Sequence, residues 1–341
     1  MVDVIAFTSG ENTPSSRYRV RQHIPYLKEL GVRVSEWYPA IDRNAQSPFG
    51  FIKPAWKTLK AVTSLPVIFK GKEQELIWLE RTLCPGLLTF EPLFKRPFVL
   101  DIDDSVWLLP PFGQSALAAI SRRALAIVAG NSYIARWLSH YNKSIYVVPT
   151  AVDTDLFRPD TANGKSAEPF IAGWSGTSSN LKYLYAIEPA LEDFLKNPGA
   201  VLRVVCDRRP TFSILPEERI EFVPWNPQSE MMAIRGMHVG LMPLADTPWT
   251  RGKCGFKMLQ YMSCAIPVVV SPVGMNREIL TLGEFGAAAQ TLEEWRYALR
   301  QYRVNPQLQD AHGQTARRVV VHHFSRHRIS RELAEIFHSL S

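Results

Sequence analysis

The stretch Phe170-Ile171-Ala172-Gly173-Trp174-Ser175-Gly176-Thr177-Ser178-Ser179-Asn180-Leu181 reads as a buried strand, a loop of small polar residues and the start of a helix. A short apolar run bounded by turn-forming residues is typical of a strand inside a parallel sheet. The preceding residues, 161–169, are small, polar and rich in chain breakers, as in a linker. We therefore predict that a second domain begins at about this point.

Apolar strand-sized segments alternate with helical periodicity along the rest of the chain. The predicted strands are 2–7, 31–37, 75–79, 98–102, 125–129, 144–148, 170–174, 201–206, 219–223, 237–241 and 266–270, and the predicted helices are 17–30, 114–122, 131–140, 180–196, 227–235, 253–264 and 292–303. This alternation predicts an α/β fold with two doubly wound, Rossmann-like parallel-sheet domains, 1–162 and 163–322. A C-terminal helix, 323–341, is predicted to pack back on the N-terminal domain. Ligands of such sheets bind beyond the carboxyl ends of the strands, so two facing domains predict an interdomain cleft.

Composition excludes several classes of protein. The 341 residues include 39 Lys and Arg against 32 Asp and Glu, a net charge of +7, and 46% are hydrophobic, which excludes a disordered or fibrous chain. The four cysteines form no C-x-x-C pair and no metal-ligand spacing, so we expect neither a disulfide scaffold nor a metal site. Without a signal peptide or an apolar run long enough to span a bilayer, we expect a cytoplasmic protein. No recognised nucleic-acid-binding motif accompanies the positive charge, so a nucleic-acid partner is not expected.

The loop after the first strand, residues 8–19, is rich in small hydroxyl residues and leads into a predicted helix. Free backbone N–H groups, the small residues Gly10 and Ser16, and the charges of Arg17, Arg19 and Arg21 suit an anion such as a phosphate. An ordinary loop with solvated arginines is the alternative. The loop has neither G-x-G-x-x-G nor the P-loop pattern, which disfavours a standard dinucleotide or P-loop site.

Acidic residues follow the fourth strand in the run Asp101-Ile102-Asp103-Asp104. Carboxylates this close together repel one another, so they need a cation, arginines or hydrogen bonds. A metal clamp, a binder of acceptor hydroxyls and a helix N-cap each account for them. Period-two alternation would point Asp103 toward the cleft and leave Asp104 to cap the next element.

The loop after the predicted strand 170–174 resembles the loop after the first strand. Its small residues Gly176, Thr177 and Ser178 allow close approach of an anion to the start of a helix. A simple helix cap is the alternative. Further along, Lys253, Lys257 and Gln260 recur at i, i+4 and i+7, which predicts one shared helix face. Lysines near a helix N-terminus conflict with the macrodipole, and an anionic ligand would remove that conflict. A solvated basic face is the alternative here.

The run Gly255-Phe256-Lys257-Met258-Leu259-Gln260-Tyr261-Met262-Ser263-Cys264-Ala265-Ile266-Pro267-Val268-Val269 resembles the signature region of family 4 (GT4) retaining glycosyltransferases of GT-B fold. The segment 148–159 resembles the interdomain motif of that family, and 173–177 resembles the loop that opens its donor domain. The resemblance implies retaining transfer of a hexosyl-type sugar from a nucleotide-sugar donor (EC 2.4). It also implies that no metal or other cofactor is needed, that the C-terminal domain binds the donor, and that the N-terminal domain binds the acceptor.

The resemblance also assigns roles to residues. The family's paired glutamates fall on Gly252 and Gln260 of this sequence. Gln260 can still bind ribose hydroxyls, whereas Gly252 has no side chain to bind the sugar. The residues that would compensate for this loss are Asp246, Thr250 or Arg251. The implied catalytic residues are Lys253 and Lys257 at the diphosphate and Asp103 on the acceptor side. The implied donor-binding residues are Gly176, Thr177, Ser178, Arg251, Gln260, Gly274, Met275 and Asn276. The acceptor or phosphate side comprises Gly10, Ser16, Arg17, Arg19 and Asp104.

Two rival functions share these features, a nucleotide-sugar epimerase of the same fold and a non-catalytic nucleotide-sugar-binding partner subunit. The acceptor class stays open between a glycan, a lipid-linked molecule and a small molecule. Residues 53–72 interleave five lysines with apolar and aromatic residues, and on a helix Lys53, Lys57 and Lys60 would share a face. This pattern fits a helix lying on an anionic membrane at the inner face of the cell membrane. An ordinary domain helix with solvated lysines is the alternative.

Overall fold

The computed structural model describes residues 1–11, 13–43, 45, 47, 53–69, 76–160 and 168–341, apart from the side chains at 53, 54 and 57. The chain forms two compact units. The first comprises Met1–Ala151, Arg251–Cys254 and Arg326–Ser341, and the second comprises Val152–Thr250 and Gly255–Ser325. The prediction divided the chain near 162 and 322 and packed the C-terminal helix back on the N-terminal domain, but it did not include the short segment Arg251–Cys254 in that domain. Most of the predicted linker, 161–167, lies outside the described residues.

The first unit contains a parallel sheet of six strands in the order β2-β1-β3-β4-β5-β6. Its strands are β1 (Val2–Phe7), β2 (Val32–Trp37), β3 (Leu76–Glu80), β4 (Phe98–Ile102), β5 (Ala126–Ala129) and β6 (Ile145–Val147). Its α-helices are α1 (Ile24–Glu29), α2 (Lys53–Ser64), α3 (Gly113–Arg123), α4 (Ser132–Leu138) and, from the end of the chain, α13 (Arg326–Ser339). The strand order reverses between β1 and β3, which is where a doubly wound sheet opens a crevice for ligands.

The second unit contains a parallel sheet of six strands in the order β12-β11-β10-β7-β8-β9. Its strands are β7 (Phe170–Ser175), β8 (Ala200–Cys206), β9 (Ile220–Pro224), β10 (Val239–Met242), β11 (Val268–Val270) and β12 (Gly286–Ala288). Its helices are α5 (Leu181–Tyr185), α6 (Glu188–Leu195), α7 (Glu230–Arg235), α8 (Pro248–Arg251), α9 (Phe256–Ser263), α10 (Met275–Leu280), α11 (Leu292–Val304) and α12 (Pro306–His323), although Arg251, the last residue of α8, belongs to the first unit. The order reverses between β7 and β10, so the loops after these strands flank the crevice.

Each predicted strand is present with bounds within two residues, and β12 is an addition. The predicted helix 253–264 is wrong at its start, because α9 begins only at Phe256. Gly255 has φ +65°, in the left-handed region that glycine adopts without strain, and it separates α9 from the residues before it. The predicted helix 17–30 is also interrupted: a π-helical turn (Ser16–Val20) and a 3-10 turn (Arg21–His23) precede α1.

The C-terminal helix α13 packs on the first sheet, within one unit. Its apolar stripe of Ile329, Leu333 and Phe337 is buried, and the Phe337 ring lies 5.1 Å from that of Trp78 on β3. Full burial of such side chains stabilises a fold by about 1.5–3 kcal/mol each. The helix is therefore part of the core of the first unit. Among the described residues, none of the helices is both long and apolar enough to cross a membrane.

Candidate active site

The loop after β1 is held by a buried carboxylate on β3. The Ser9 backbone N–H and hydroxyl donate to Oε2 of Glu80 at 2.8 and 2.7 Å, and the Ser16 hydroxyl donates to the same oxygen at 3.1 Å. Ser16 is fully buried, so its hydroxyl fixes the loop instead of presenting itself to a ligand. Gly10 is also buried, and a side chain there would collide with Asp42. The sequence did not single out Glu80.

Arg19 is buried in an ion pair with Asp101 at the end of β4. Its Nε donates to Asp101 Oδ1 at 2.9 Å and its Nη1 donates to the carbonyl of Val148 at 2.8 Å, while Trp78 Nε1 donates to the other Asp101 oxygen at 3.1 Å. Burial raises the pKa of Asp101 to about 6, although Arg19 acts in the opposite direction. Arg19 therefore positions Asp101 instead of presenting its charge to a phosphate, contrary to the prediction. Arg17 stays half-buried, with its guanidinium 5.2 Å from the Tyr18 ring.

Arg81, which the sequence did not single out, holds the acidic run together. Its Nε donates to Asp103 Oδ1 at 2.6 Å and its Nη2 donates to Asp104 Oδ2 at 3.0 Å. Its backbone has φ +58°, a strained conformation for a residue other than glycine. Burial alone would raise the pKa of Asp103, but the Arg81 cation lowers it. Burial keeps the pKa of Asp104 above its usual value despite Arg81. Two adjacent carboxyl groups thus have pKa values shifted in opposite directions, a pattern typical of functional sites.

The residues Arg251–Cys254 lie with this acidic run in the first unit. Cys254 Sγ donates to the carbonyl of Asp103 at 3.1 Å. Gly252 packs against Ser105: a Cβ at this position would lie 2.8 Å from the Ser105 nitrogen and closer still to its hydroxyl. Only glycine therefore fits at the position where the family resemblance expects the first glutamate. The close approach of Ser105 leaves no room for a side chain at this position.

Lys253 and Lys257 do not share a helix face, contrary to the prediction, because Lys253 precedes the helix. Lys253 belongs to the first unit, where its charge lowers the pKa of Asp104. Lys257 lies in the first turn of α9 in the second unit, and its Nζ donates to Oε1 of the buried Glu230 at 2.7 Å. Burial alone would raise the pKa of Glu230, but the Lys257 charge and neighbouring hydrogen-bond donors together lower it. Glu230, another residue that the sequence did not reveal, supplies the negative charge that we had expected from a ligand.

Gln260 follows Lys257 on α9 and is fully buried. Its amide contributes to the lowered pKa of Glu230, yet among the described residues neither its Oε1 nor its Nε2 makes a hydrogen bond of good geometry. At the end of β7, the hydroxyl of Ser175 is likewise buried without a partner in the described chain, while its N–H donates to the Tyr261 hydroxyl at 2.7 Å. Buried polar groups of this kind are usually satisfied by water or a ligand.

The loop after β7 carries the other predicted donor residues. The Ser178 N–H and hydroxyl donate to Asp207 at 2.6 and 2.8 Å, so Ser178 is engaged within the protein. Thr177 is exposed, and its hydroxyl lies 3.0 Å from that of Ser179. Gly176 lies against the Trp174 ring, where a Cβ would be 2.6 Å from ring carbons. Thr177 is thus the most accessible of the three predicted residues.

The loop after β11 contains Gly274, with φ +54°, followed by Met275 and Asn276 in the first turn of α10. Both side chains are almost fully buried, and Asn276 Nδ2 donates to the carbonyl of Ser271 at 3.1 Å. These two side chains hold the loop, whereas Gly274 remains partly exposed. Arg251, also assigned to the donor, is exposed in the first unit.

Thr250, one of the residues expected to compensate for the missing glutamate, is fully buried. Its hydroxyl accepts from the Thr247 N–H at 3.0 Å, so it fixes the local turn. Asp246 is exposed. The geometry of the described residues therefore gives Thr250 a structural role.

A cavity of about 730 Å³ lies at the other end of the second sheet, where Phe170 begins β7 and His238 precedes β10. None of the predicted site residues lines it. Among the described residues, no three His, Cys, Asp or Glu side chains are grouped so that they could hold a metal ion. Metal independence stays a prediction.

Comparison with known proteins gives a family match for part of the chain and a fold for nearly all of it. Residues 187–334 match the "Glycosyl transferase-like" family. No curated protein sequence matches significantly. Sucrose-phosphate synthase from Thermosynechococcus elongatus is similar in structure, with a TM-score of 0.76, 14% identity, and coverage of 100% of this chain and 99% of that one.

Two other solved structures are similar over nearly the whole chain. Anabaena HepE in complex with UDP has a TM-score of 0.69 and 15% identity, covering 99% of this chain and 100% of that one. WaaG, a glycosyltransferase involved in lipopolysaccharide biosynthesis, has a TM-score of 0.66 and 14% identity, covering 98% and 99%. The protein therefore has the GT-B fold, and it resembles the glycosyltransferases that share this fold.

Proposed function

We propose that this protein is a glycosyltransferase that moves a hexosyl group from a nucleotide-sugar to an acceptor with retention of configuration and without a metal ion. The observation that carries the proposal is the match of residues 187–334 to the glycosyl transferase-like family. These residues include Lys257, Gln260 and the loop after β11, all within the second unit. We place the protein in the cytoplasm.

The second unit is proposed to bind the donor nucleotide. An ammonium group has three N–H donors, and Glu230 accepts one from Lys257, which leaves two for a phosphate. The unpartnered polar atoms of Gln260 and Ser175 add hydrogen-bonding capacity close to the loop after β7. HepE has been crystallised with UDP and with UDP-glucose, so UDP-sugars are the first donors to test.

The first unit is proposed to bind the acceptor through Asp103 and Asp104. Arg81 favours the ionised form of Asp103, and a carboxylate accepts hydrogen bonds from sugar or lipid-head hydroxyls. Lys253, which lies in the same unit, brings positive charge to this cluster. In this proposal the acceptor hydroxyls are bound by negatively charged carboxylates, and the donor phosphate is bound by a positively charged lysine.

In the proposed reaction, the bond between the anomeric carbon and the β-phosphate oxygen breaks, and a bond from that carbon to the acceptor oxygen forms on the same face. The acceptor proton passes to the leaving phosphate oxygen, so no protein nucleophile is needed. Fixed cations and N–H groups stabilise the charge that builds on the phosphate, with each well-placed donor contributing on the order of 3 kcal/mol. Lys257 is the proposed donor of this stabilisation in the second unit.

A donor screen by thermal shift, with nucleoside diphosphates and their sugars, tests nucleotide binding, because a ligand that binds only the folded state raises the Tm. Transfer is then followed by NMR of the anomeric proton, with and without EDTA. An α-linked product from an α-linked donor, formed equally in EDTA, supports the proposal. Epimer formation without acceptor would favour an epimerase, and binding without transfer across an acceptor panel would favour a partner subunit.

We also propose that the acceptor unit contacts an anionic membrane through α2 and the 3-10 turn that follows it. Four outward apolar side chains, Leu59, Val62, Leu65 and Phe69, are 45%, 54%, 37% and 80% exposed. Lys60 points the other way, and its Nζ donates to the carbonyls of Arg43 and Ala45 at 2.8 and 3.3 Å. The prediction that Lys60 faces lipid is therefore wrong.

The apolar face of α2 is the outward one, as in helices that lie in a membrane interface. Lys70 and Lys72 and the side chains of Lys53 and Lys57 lie outside the described part of the chain, but their charges suit an anionic surface. This contact would favour a lipid-linked acceptor over a soluble glycan or a small molecule.

Flotation with vesicles of phosphatidylglycerol and phosphatidylcholine tests this membrane contact. Wild type is expected to float with anionic vesicles, and Val62→Asp/Phe69→Ser is expected to lose most of that binding without a change in Tm. Thr58→Asp, at an exposed position on the same helix, controls for the added negative charge. Equal flotation of wild type and the double variant would contradict the proposal.

A further inference from the structure

The segment Arg251–Cys254, hereafter the strap, differs from the chain on either side of it. The residues before and after it, Thr250 and Gly255, belong to the second unit, whereas the strap belongs to the first. It carries Lys253, which the proposed function places beside the acceptor carboxylates. What holds the strap therefore determines where that lysine lies.

Asn131 binds the strap directly. Its Oδ1 accepts from the N–H of Ile134 at 2.9 Å and caps α4, while its Nδ2 donates to the carbonyls of Arg251 and Lys253 at 3.4 and 3.2 Å. The side chain is 1% exposed, so these bonds are shielded from water. One buried amide thus satisfies a helix end on one side and two carbonyls of the strap on the other.

Two glycines let the strap lie flat on the loops of the first unit. Gly252 packs against Ser105, and a Cβ on Gly130 would lie 2.5 Å from Cys254 Sγ and 3.1 Å from the Asp103 Cα. Cys254 is 8% exposed and donates to the Asp103 carbonyl. The strap is therefore in close contact with the loops that begin at Asp103 and Gly130, the first of which carries the acidic run.

From these contacts we propose that Asn131 is a positioning residue that acts through Lys253. Its hydrogen bonds to the strap carbonyls fix the Lys253 backbone beside Asp103 and Asp104. The lysine and the two carboxylates then form one cluster on the acceptor side. This inference rests on the proposed function for its kinetic consequence. Its structural consequence, the fixation of the strap, does not depend on that function.

Asn131→Ser is the main test variant. A serine at the N-cap still caps α4 but cannot reach across to the two carbonyls. Asn131→Asp keeps the cap and directs a carboxylate oxygen at those carbonyls, so its effect should be larger. Asn142→Ser is the matched control, because Asn142 Nδ2 also donates to two carbonyls of the first unit, those of Ser121 and Ala124, away from the strap.

The first readout is alkylation of Cys254 by iodoacetamide, quantified by peptide mass spectrometry. All four cysteines are buried, so the other three report general loosening. We expect Asn131→Ser to speed labelling of Cys254 by about tenfold, because the loss of the two hydrogen bonds to the strap carbonyls makes opening of the strap easier. Asn142→Ser should leave that rate unchanged. Labelling of Cys254 as slow in Asn131→Ser as in wild type would overturn the proposal.

The second readout is a double-variant cycle with Lys253→Ala on kcat/KM for the acceptor. If Asn131 acts through Lys253, Asn131→Ser lowers this value about tenfold alone and changes it by less than about twofold when Lys253 is already alanine. Independent, multiplicative effects would refute a positioning role. If wild type transfers no sugar, the proposed function fails, and Cys254 labelling still decides whether Asn131 fixes the strap.

Discussion

Replacing Lys257 by methionine should destabilise the second unit, even though the lysine lies near the surface. Glu230 is buried, with 2% of its side chain exposed, and Lys257 Nζ is its ion-pair partner at 2.7 Å. Removing one partner of a buried pair leaves an uncompensated charge, at a typical cost of 3–5 kcal/mol. Because the Lys257 side chain is 26% exposed, the attraction is partly screened by water, and we expect about 3 kcal/mol.

The sign of the pH dependence separates this mechanism from a simple loss of packing. In the wild type the pKa of Glu230 lies below 4.5, so the stability from the pair is complete above that pH and is lost as the pH falls. Without Lys257, burial raises the pKa of Glu230, and its ionisation opposes folding as the pH rises. The deficit of Lys257→Met relative to wild type should therefore grow between pH 4 and pH 7.

The assay is urea unfolding of four proteins: wild type, Lys257→Met, Glu230→Gln and the double variant. Glu230→Gln in the methionine background removes the buried charge and should recover most of the loss. A Lys257→Met protein within about 1 kcal/mol of wild type, below the typical cost of breaking a buried pair, would refute the reasoning. A double variant as unstable as Lys257→Met would do the same.

The same set of proteins isolates the role of Lys257 in transfer. Because of the ion pair with Glu230, activity and stability are expected to fall together when Lys257 alone is replaced. The double variant lacks the lysine and is expected to keep the fold, so a loss of kcat that remains in it reports the missing phosphate contact.

Three further predictions concern the first unit. Gly252→Ala should cost about 1–3 kcal/mol in urea unfolding through overpacking, and Ser105→Gly should recover part of it; an alanine variant as stable as wild type would contradict the close packing. Burial lowers the pKa of His23 to about 3, so its contribution to stability is complete above pH 6.5 and falls by about 2 kcal/mol at pH 5. His23→Gln should flatten that pH dependence, and an unchanged dependence would refute it. Arg81→Gln should raise the pKa of Asp103, because the cation that lowers it is removed, and should shift the acid limb of acceptor kcat/KM to higher pH; an unmoved limb would exclude ionised Asp103 from the reaction.

The sheets were predictable because each strand is a short apolar run that can be recognised from the local sequence alone. The runs at Phe98–Ile102 and Val268–Val270 are buried throughout, and such strands need no long-range information to be recognised. The start of α9 was not predictable from periodicity: Lys253 and Lys257 have helical spacing, but Gly255 takes a left-handed conformation between them. A spacing rule assumes continuous helix, and it fails where one residue leaves that conformation.

The residues that complete the site were missed for a different reason. Arg81 lies 22 residues before Asp103, and Glu230 lies 27 residues before Lys257. Single charged residues at such distances carry no local pattern, and only the packing of neighbouring strands and helices brings them together. The sequence therefore indicated which loops would carry chemistry, but it could not indicate which partners would neutralise the charges there.

The three-piece construction of the first unit has a consequence for its biogenesis. The ribosome delivers the chain from its N-terminus, yet the sheet of this unit is covered by α13, whose Ile329, Leu333 and Phe337 are buried at its core. The face of strands β1–β6 that contains Trp78 therefore stays uncovered by α13 until the second unit has been synthesised. Exposed apolar surface on a partly made chain is prone to aggregate. A nascent chain stalled before Arg326 should accordingly recruit chaperones, and release of the last helix should end that dependence.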